Sequence, residues 1–172
     1  MKTIITATIA AILLAACQTT PPEPPRATAQ LQPTKGSKAF GEATFEQVGD
    51  KVHVVVFVQG LTPGQEHGLH IHEVGDCSSG DGMSTQGHFN PFGKPHGQPG
   101  SMERHAGDLP ALKANKAGRA NVQVDLDIVT VTAGPASIIG RGLIVHAAPD
   151  DYKTQPTGNA GARIACGVIK AG

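Results

Sequence analysis

Apolar and polar positions alternate in short runs along most of the chain, the period-two signature of strands with one buried face. Phe40–Gln47 alternates around Ala43 and Phe45, and Val52–Val58 is dense in valine. Val48-Gly49-Asp50-Lys51 between them reads as a tight turn, so the two runs predict a hairpin. Gly68–Glu73, Ala120–Leu126, Val129–Thr132, Arg141–His146 and Ala165–Lys170 continue the series. Together they predict an all-β fold of about seven or eight strands in two packed sheets. No capped helical pattern of useful length and no internal repeat breaks the series. The alternation fails at two places. One is the N-terminus, where Ile4 to Ala16 is continuously apolar. The other is Gly75 to about Lys113, which is rich in Gly, Pro, Ser and His. A loop of that length in a compact domain points to function, and something must pin it.

Composition narrows the class. A length of 172 residues suits one domain. Lys and Arg number 14 against 14 Asp and Glu, so the basic stripe of a nucleic-acid binder is lacking. With 22 Gly, 13 Pro, five Phe, one Tyr and no Trp, the chain is turn-rich and its core must be built from Val, Ile, Leu and Ala.

The apolar run after Lys2 is too short to span a bilayer and ends Leu14-Ala15-Ala16-Cys17. Small residues before a Cys resemble the bacterial lipoprotein signal, in which the Cys is lipidated and begins the mature chain. That reading is preferred to an ordinary secretory signal because the box sits where the apolar run stops. Residues 1–16 are then a signal peptide. Residues 17–33, with Pro21, Pro22, Pro24, Pro25 and Pro33, form a semi-rigid tether reaching about 50 Å if wholly polyproline II. The domain occupies residues 34–172, or starts near residue 28 if a short strand lies in Thr28–Gln32. The expected location is the periplasmic side of the bacterial envelope, and Gln18 after the Cys points to the outer membrane. With Cys17 lipidated, Cys77 and Cys166 remain, and export makes a disulfide the default over two buried thiols.

The eight histidines carry the chemistry. His70 and His72, two apart on a predicted strand, project from one face as a chelating pair. His88, His96 and His105 follow in the long loop, with Asp108 three residues after the last, and His146 ends a later strand. Six imidazoles and a carboxylate exceed what one four-coordinate ion uses, so two metals are the economical reading. Imidazole suits copper and zinc, and three His with one Asp suit tetrahedral zinc. His53, alone on its strand, reads as a residue without metal.

In order along the chain, HGLHIHEVGDC, GHFNP, KPHG, ERHAGDLP, LIVHAAPDD and GNAGARIACGVIK resemble the copper/zinc superoxide dismutases, from about Thr28 to Lys170. The resemblance implies a Greek-key β-sandwich or barrel with long metal-binding and electrostatic loops. It implies copper ligands His70, His72, His88 and His146, and zinc ligands His88, His96, His105 and Asp108, one ion of each per subunit. His88 is then the bridge, both ligand and proton carrier. Cys77 and Cys166 match the family disulfide, and Arg163 matches the arginine that attracts superoxide to copper. Asp150 matches the carboxylate joining ligand imidazoles of both metals, and His67 matches a histidine supporting the copper strand. Lys153 reads as a solvated loop lysine that adds little to steering. The segment Ala147–Ala162 is shorter than in common eukaryotic members and carries few charges. Ser137–Arg141 and Gly167–Gly172 resemble the eukaryotic interface, so a homodimer and a lipid-tethered monomer are the two expected states.

Three other functions would leave different residues. A non-catalytic copper- or zinc-binding envelope lipoprotein would lack Arg163 or an open copper position. A zinc hydrolase would want three ligands, a water and a general base. An electron-transfer copper protein would want a Cys ligand, and both domain cysteines are taken.

Overall fold

The computed structural model describes residues 22–172, so Cys17 and the signal segment lie outside the described residues. Ten strands follow in chain order: β1 Arg26–Pro33, β2 Phe40–Val48, β3 Lys51–Gln59, β4 Glu66–His67, β5 Leu69–His72, β6 Leu112–Lys113, β7 Arg119–Leu126, β8 Gly142–His146, β9 Arg163–Val168 and β10 Lys170–Ala171. Among the described residues the only helical element is a 3₁₀ turn at Met83–Thr85, and no helix is long and apolar enough to cross a membrane.

Strand alternation builds the core directly. In β3, Val52, Val54, Val56 and Val58 point inward and are fully buried. The register aligns Ala29, Ala43, Val56 and Val122 in one row across β1, β2, β3 and β7, and Ala27, Phe45, Val54 and Val124 in the next. Small residues on β1 and β2 leave room for Phe45, the bulkiest member of that face. The β2–β3 hairpin closes on Gly49-Asp50 with Val48 opposite Lys51. Gly49, at φ 60, takes the left-handed position that a two-residue turn opening with glycine requires.

The strands form one curled antiparallel sheet of eight strands, in the order β5-β8-β9-β1-β2-β3-β7 with β10 also on β1, in keeping with the sandwich or barrel of about eight antiparallel strands expected. The seam is β1. Its residues 26–31 pair with β2, whereas Gln32 and Pro33 pair with β9. Because β3 neighbours β7, and β5 sits at the far end beside β8, long connections cross between the halves in the Greek-key manner. β4 and β6 form a separate two-stranded ribbon.

Two expectations are refined. Thr34 is not the first residue of the domain; the earlier start expected near residue 28 applies, since β1 runs from Arg26 and buries Ala27, Ala29 and Leu31. Proline at both ends of this segment limited the readable strand to Thr28–Gln32. Val129–Thr132 is not a strand either. Val129 and Val131 are buried, but Thr130 makes only an isolated bridge to Ser137, since the chain doubles back through Gly134-Pro135. There the alternation reports burial of two valines and not a ladder.

Candidate metal centre

Strand periodicity places the first two histidines. On β5, Leu69 and Ile71 enter the core, so His70 and His72 emerge together on the opposite face. β8 lies alongside, pairing His70 with Ile144 and His72 with Gly142. Its last residue, His146, sits at a register shift opposite Arg163, and the irregularity aims the ring back toward β5. The long loop is then laid over this face. His88 bridges His72, Asp108 bridges His70, and buried Phe89 donates its N–H to the Ile71 carbonyl at 2.8 Å. The Cys77–Cys166 disulfide fastens the start of the loop to β9.

Two sets of donor atoms converge. His70, His72, His88 and His146 form one, and His88, His96, His105 and Asp108 the other; within each, the ligand atoms lie within 4.8 Å of one another, and every member is buried. His88 belongs to both. Its Nδ1 lies 2.9 Å from Asp108 Oδ1 and 3.4 Å from His105 Nδ1, while its Nε2 faces the first set. His96 Nδ1 is 3.0 Å from the same Asp108 oxygen, and His72 Nε2 is 3.4 Å from His146 Nε2.

The surrounding hydrogen bonds fix which nitrogen of each ring is left for a metal. His72 Nδ1 donates to the Gln86 carbonyl (2.8 Å) and His146 Nδ1 to the Gly161 carbonyl (3.2 Å), leaving both Nε2 atoms as lone pairs. His70 Nε2 donates to Asp150 Oδ2 at 2.6 Å, leaving Nδ1. His70 Nδ1 and His88 Nε2 are buried with no hydrogen-bond partner. Unmet buried acceptors cost stability, and a bound cation satisfies them. The all-imidazole set fits copper, and the three-histidine, one-aspartate set fits zinc.

Electrostatics agrees with this division. Burial lowers the pKa of His70 and His72, and depresses His88 to about 4 and His146 to about 3, so these rings are neutral ligands at neutral pH. Burial also opposes charge on His96, but Asp108 on Nδ1 and Asp150 on Nε2 outweigh it and raise that ring to about 9. The proton on His96 Nδ1 stands where zinc would bind. Burial likewise works against the Asp108 carboxylate. The His105, His88 and His96 rings and the Gly97 N–H nonetheless hold it far below the ordinary range. Its Oδ2 accepts the N–H groups of Gly97 (3.0 Å) and His105 (2.9 Å).

The remaining candidates surround this core. Asp150 spans both sets, with Oδ2 on His70 and Oδ1 on His96 Nε2 at 2.9 Å. His67 is buried and donates from Nδ1 to the His146 carbonyl at 2.8 Å. Arg163 binds the Gly82 carbonyl (2.6 Å), Thr85 Oγ1 (2.9 Å) and the Gln86 carbonyl (2.7 Å), the last shared with His72. Lys153 is exposed, and His53 lies apart from both sets, paired with Asp125 at 2.7 Å. Sequence reasoning missed Gln86, whose backbone joins Arg163 to His72, and Gln155, whose side chain grips His96. It also missed Arg104, which is buried and links the Ser101 carbonyl to Asp127. Contacts made by or to backbone groups leave no residue pattern. Only Arg104, directly before His105, carried a positional hint.

Comparison with known proteins places these features together. Residues 39–169 match the family model described as copper/zinc superoxide dismutase (SODC). The chain is 40% identical over 149 residues to superoxide dismutase (Cu-Zn) 2 of Aquifex aeolicus (strain VF5), covering 84% of this chain and 86% of that protein. It is 42% identical over 140 residues to superoxide dismutase (Cu-Zn) 1 of the same organism, covering 79% and 82%. Among solved structures, that of the clock protein EA4 superposes with a TM-score of 0.78 at 41% identity, covering 89% of this chain and 98% of that one.

Proposed function

The chain belongs to the copper/zinc superoxide dismutase family, and from that premise we infer how its own residues divide the work of converting superoxide to dioxygen and hydrogen peroxide. His70, His72, His88 and His146 hold copper, and His88, His96, His105 and Asp108 hold zinc. Bound copper supplies the one-electron cycle that the reaction needs and zinc cannot provide. The observation that carries the reading is His88, a single buried ring with one nitrogen in each donor set.

The chain's other residues serve that ring and the anion. His88 Nε2 would take a proton from water and pass it to the reduced oxygen species, which would draw its second proton from solvent and leave as hydrogen peroxide, while Nδ1 stays with the zinc set. Asp150 holds the outer nitrogens of His70 and His96, so neither ring can rotate away from its set. His67 supports the His146 backbone from beneath. Arg163, immobilised by three oxygen acceptors, offers a fixed positive charge beside His72 to a small anion.

The N-terminal sequence supports a bacterial-envelope location for this chemistry. Leu14-Ala15-Ala16-Cys17 supports lipid attachment at Cys17 after removal of residues 1–16, with the shortened Pro-rich tether leading to β1. The enzyme then works in the periplasm, held to the outer membrane. Ser137–Arg141 and Gly167–Gly172 are the faces on which a homodimer would form.

One experiment tests enzyme and anchor together. The full chain is expressed in a bacterium, and copper, zinc and superoxide consumption are measured in membrane and soluble fractions. One copper and one zinc per chain with fast activity in the membrane fraction is expected, and Cys17→Ser moves that activity to the soluble fraction. Full metal content without activity would refute the enzyme. Activity that stays on the membrane in Cys17→Ser would refute the anchor.

A further inference from the structure

His96 lies in a stretch without regular structure, between Pro95 and Gly97, yet it is almost completely buried. Neither its N–H nor its carbonyl has a backbone partner among the described residues. Both are met by one side chain 59 positions away. Gln155 Oε1 accepts the His96 N–H at 2.9 Å, and Gln155 Nε2 donates to the His96 carbonyl at 2.9 Å. A primary amide thus mimics a strand partner for a single residue, and that residue is a zinc ligand.

The segment carrying Gln155 is organised to present it. Asp151 accepts the N–H groups of Lys153 (2.9 Å) and Thr154 (2.8 Å) as well as the Thr154 hydroxyl (2.6 Å). Gly158 then closes the turn onto the Thr154 carbonyl at 2.7 Å. Tyr152 moors the same segment on the other side, its hydroxyl accepting the Ala111 N–H at 3.2 Å. At Gly158, φ is +66, and a Cβ there would fall 1.8 Å from Asp150 Oδ1 and 2.5 Å from His96 Nε2. Only glycine lets this backbone pass over the Asp150–His96 contact.

We propose that Gln155 is a positioning residue for zinc, a latch that fixes His96 from its backbone side while Asp150 fixes the ring, with Gly158 providing the close approach both require. The inference rests on assigning zinc to the His88–His96–His105–Asp108 set. Loss of the latch leaves two buried backbone groups unmet, and His96 relieves them by moving toward water and away from the other ligands.

The test follows zinc itself. The copper- and zinc-loaded full chain is mixed with an excess of a chromophoric zinc chelator, and the release rate is compared for parent, Gln155→Ala and Gln98→Ala. Gln98 is the control, an exposed glutamine two residues from His96 whose side chain makes no hydrogen bond among the described residues. Gln155→Ala is expected to release zinc about ten- to a hundred-fold faster, the usual consequence of removing a group that supports a ligand. Gln98→Ala is expected to release zinc at the parent rate, and Gln155→Ala is expected to lower the thermal midpoint of the zinc-loaded chain more than that of the metal-free chain. With cobalt in place of zinc, the visible bands of Gln155→Ala should shift, reporting an altered ligand field. Gly158→Ala is expected to hasten release in the same direction. Release from Gln155→Ala at the parent rate would overturn the latch alone, as would faster release with an equally lowered metal-free midpoint, which marks general loosening. A parent chain that holds no zinc would overturn the zinc assignment and the latch with it.

Discussion

His96 is the imidazole of the centre with a carboxylate on each nitrogen, Asp108 at 3.0 Å and Asp150 at 2.9 Å, and this sets it apart from its neighbours. The copper-side rings are kept neutral by burial, whereas His96 is held protonated to about pH 9 in the metal-free protein. Zinc must therefore displace a proton from His96 Nδ1 at neutral pH, and binding is linked to pH. The sign follows directly: raising the pH toward 9 removes that competitor and strengthens zinc binding, and lowering it weakens binding. Calorimetry of zinc binding to the metal-free chain at pH 7, in buffers of different ionisation enthalpy, should read a proton released from His96 for each zinc bound. Asp150→Asn removes one of the two carboxylates and should lower the pH at which release ceases. Proton release that is zero at pH 7, or that ceases at the same pH in Asp150→Asn as in the parent, would contradict this account of His96. The ligand identities themselves were legible in the sequence, because metal chemistry demands particular residue types. The protonation state of His96 was not, since it depends on two carboxylates 12 and 54 positions away converging on one ring.

At the level of elements, legibility followed the source of each contact. β2, β3 and β7 were readable because each buries one face, and β5, buried throughout, keeps the period of two in its residue types, Leu69 and Ile71 against His70 and His72. β8 is buried along its whole length, with Leu143 and Val145 on the core and Ile144 and His146 beneath the loops, so it reads as an apolar run closed by a histidine. β1 was legible only as a short strand in Thr28–Gln32 because prolines surround it, and the valines at 129 and 131 imitated a strand. The long loop could be recognised as functional but not traced, because its course depends on the 89-residue span between Cys77 and Cys166 and on single bridges to β5. That span gives the disulfide its expected weight: closing a loop of this length constrains the unfolded chain by about 4.6 kcal/mol in the entropy model, with measured native bridges nearer 2–5 kcal/mol. Paired Cys77→Ser and Cys166→Ser changes should lower the metal-free protein's urea unfolding free energy by that range. Because Cys77 begins the loop that carries His88, His96, His105 and Asp108, the metal-loaded form should lose zinc faster as well. Parent-like denaturation midpoints in the double variant would show that the loop is pinned by other means.

For the whole molecule, the decisive fact is a charge close to zero: 14 cationic against 14 acidic side chains in the full sequence, and one cation fewer once Lys2 leaves with residues 1–16. A neutral body neither draws in nor repels superoxide at long range, so any steering must come from the local arrangement around copper. Enzymes of this family are themselves a standing example of such steering, which raises association rates by about 10- to 1,000-fold. Here the charge positioned for it is Arg163, held against Gly82, Thr85 and Gln86, while Lys153 stands exposed in a loop. The charge of Arg163 acts over short range, and its contribution should fade as salt shortens the Debye length from about 30 Å at about 0.01 M to about 8 Å at about 0.15 M. Superoxide decay catalysed by the parent should therefore slow across that range. In Arg163→Ala, with metal content unchanged, the low-salt rate should fall about ten-fold or more and the salt dependence should flatten. Arg163→Lys keeps a positive charge but cannot reproduce the planar fork on three acceptors, so it should retain the salt slope at a reduced rate. A parent and an Arg163→Ala variant with the same slope would mean that the field acting on superoxide is made elsewhere on the surface. The loop Ala147–Ala162, which also carries the Gln155 contact to the His96 backbone, would then be the first place to look for it.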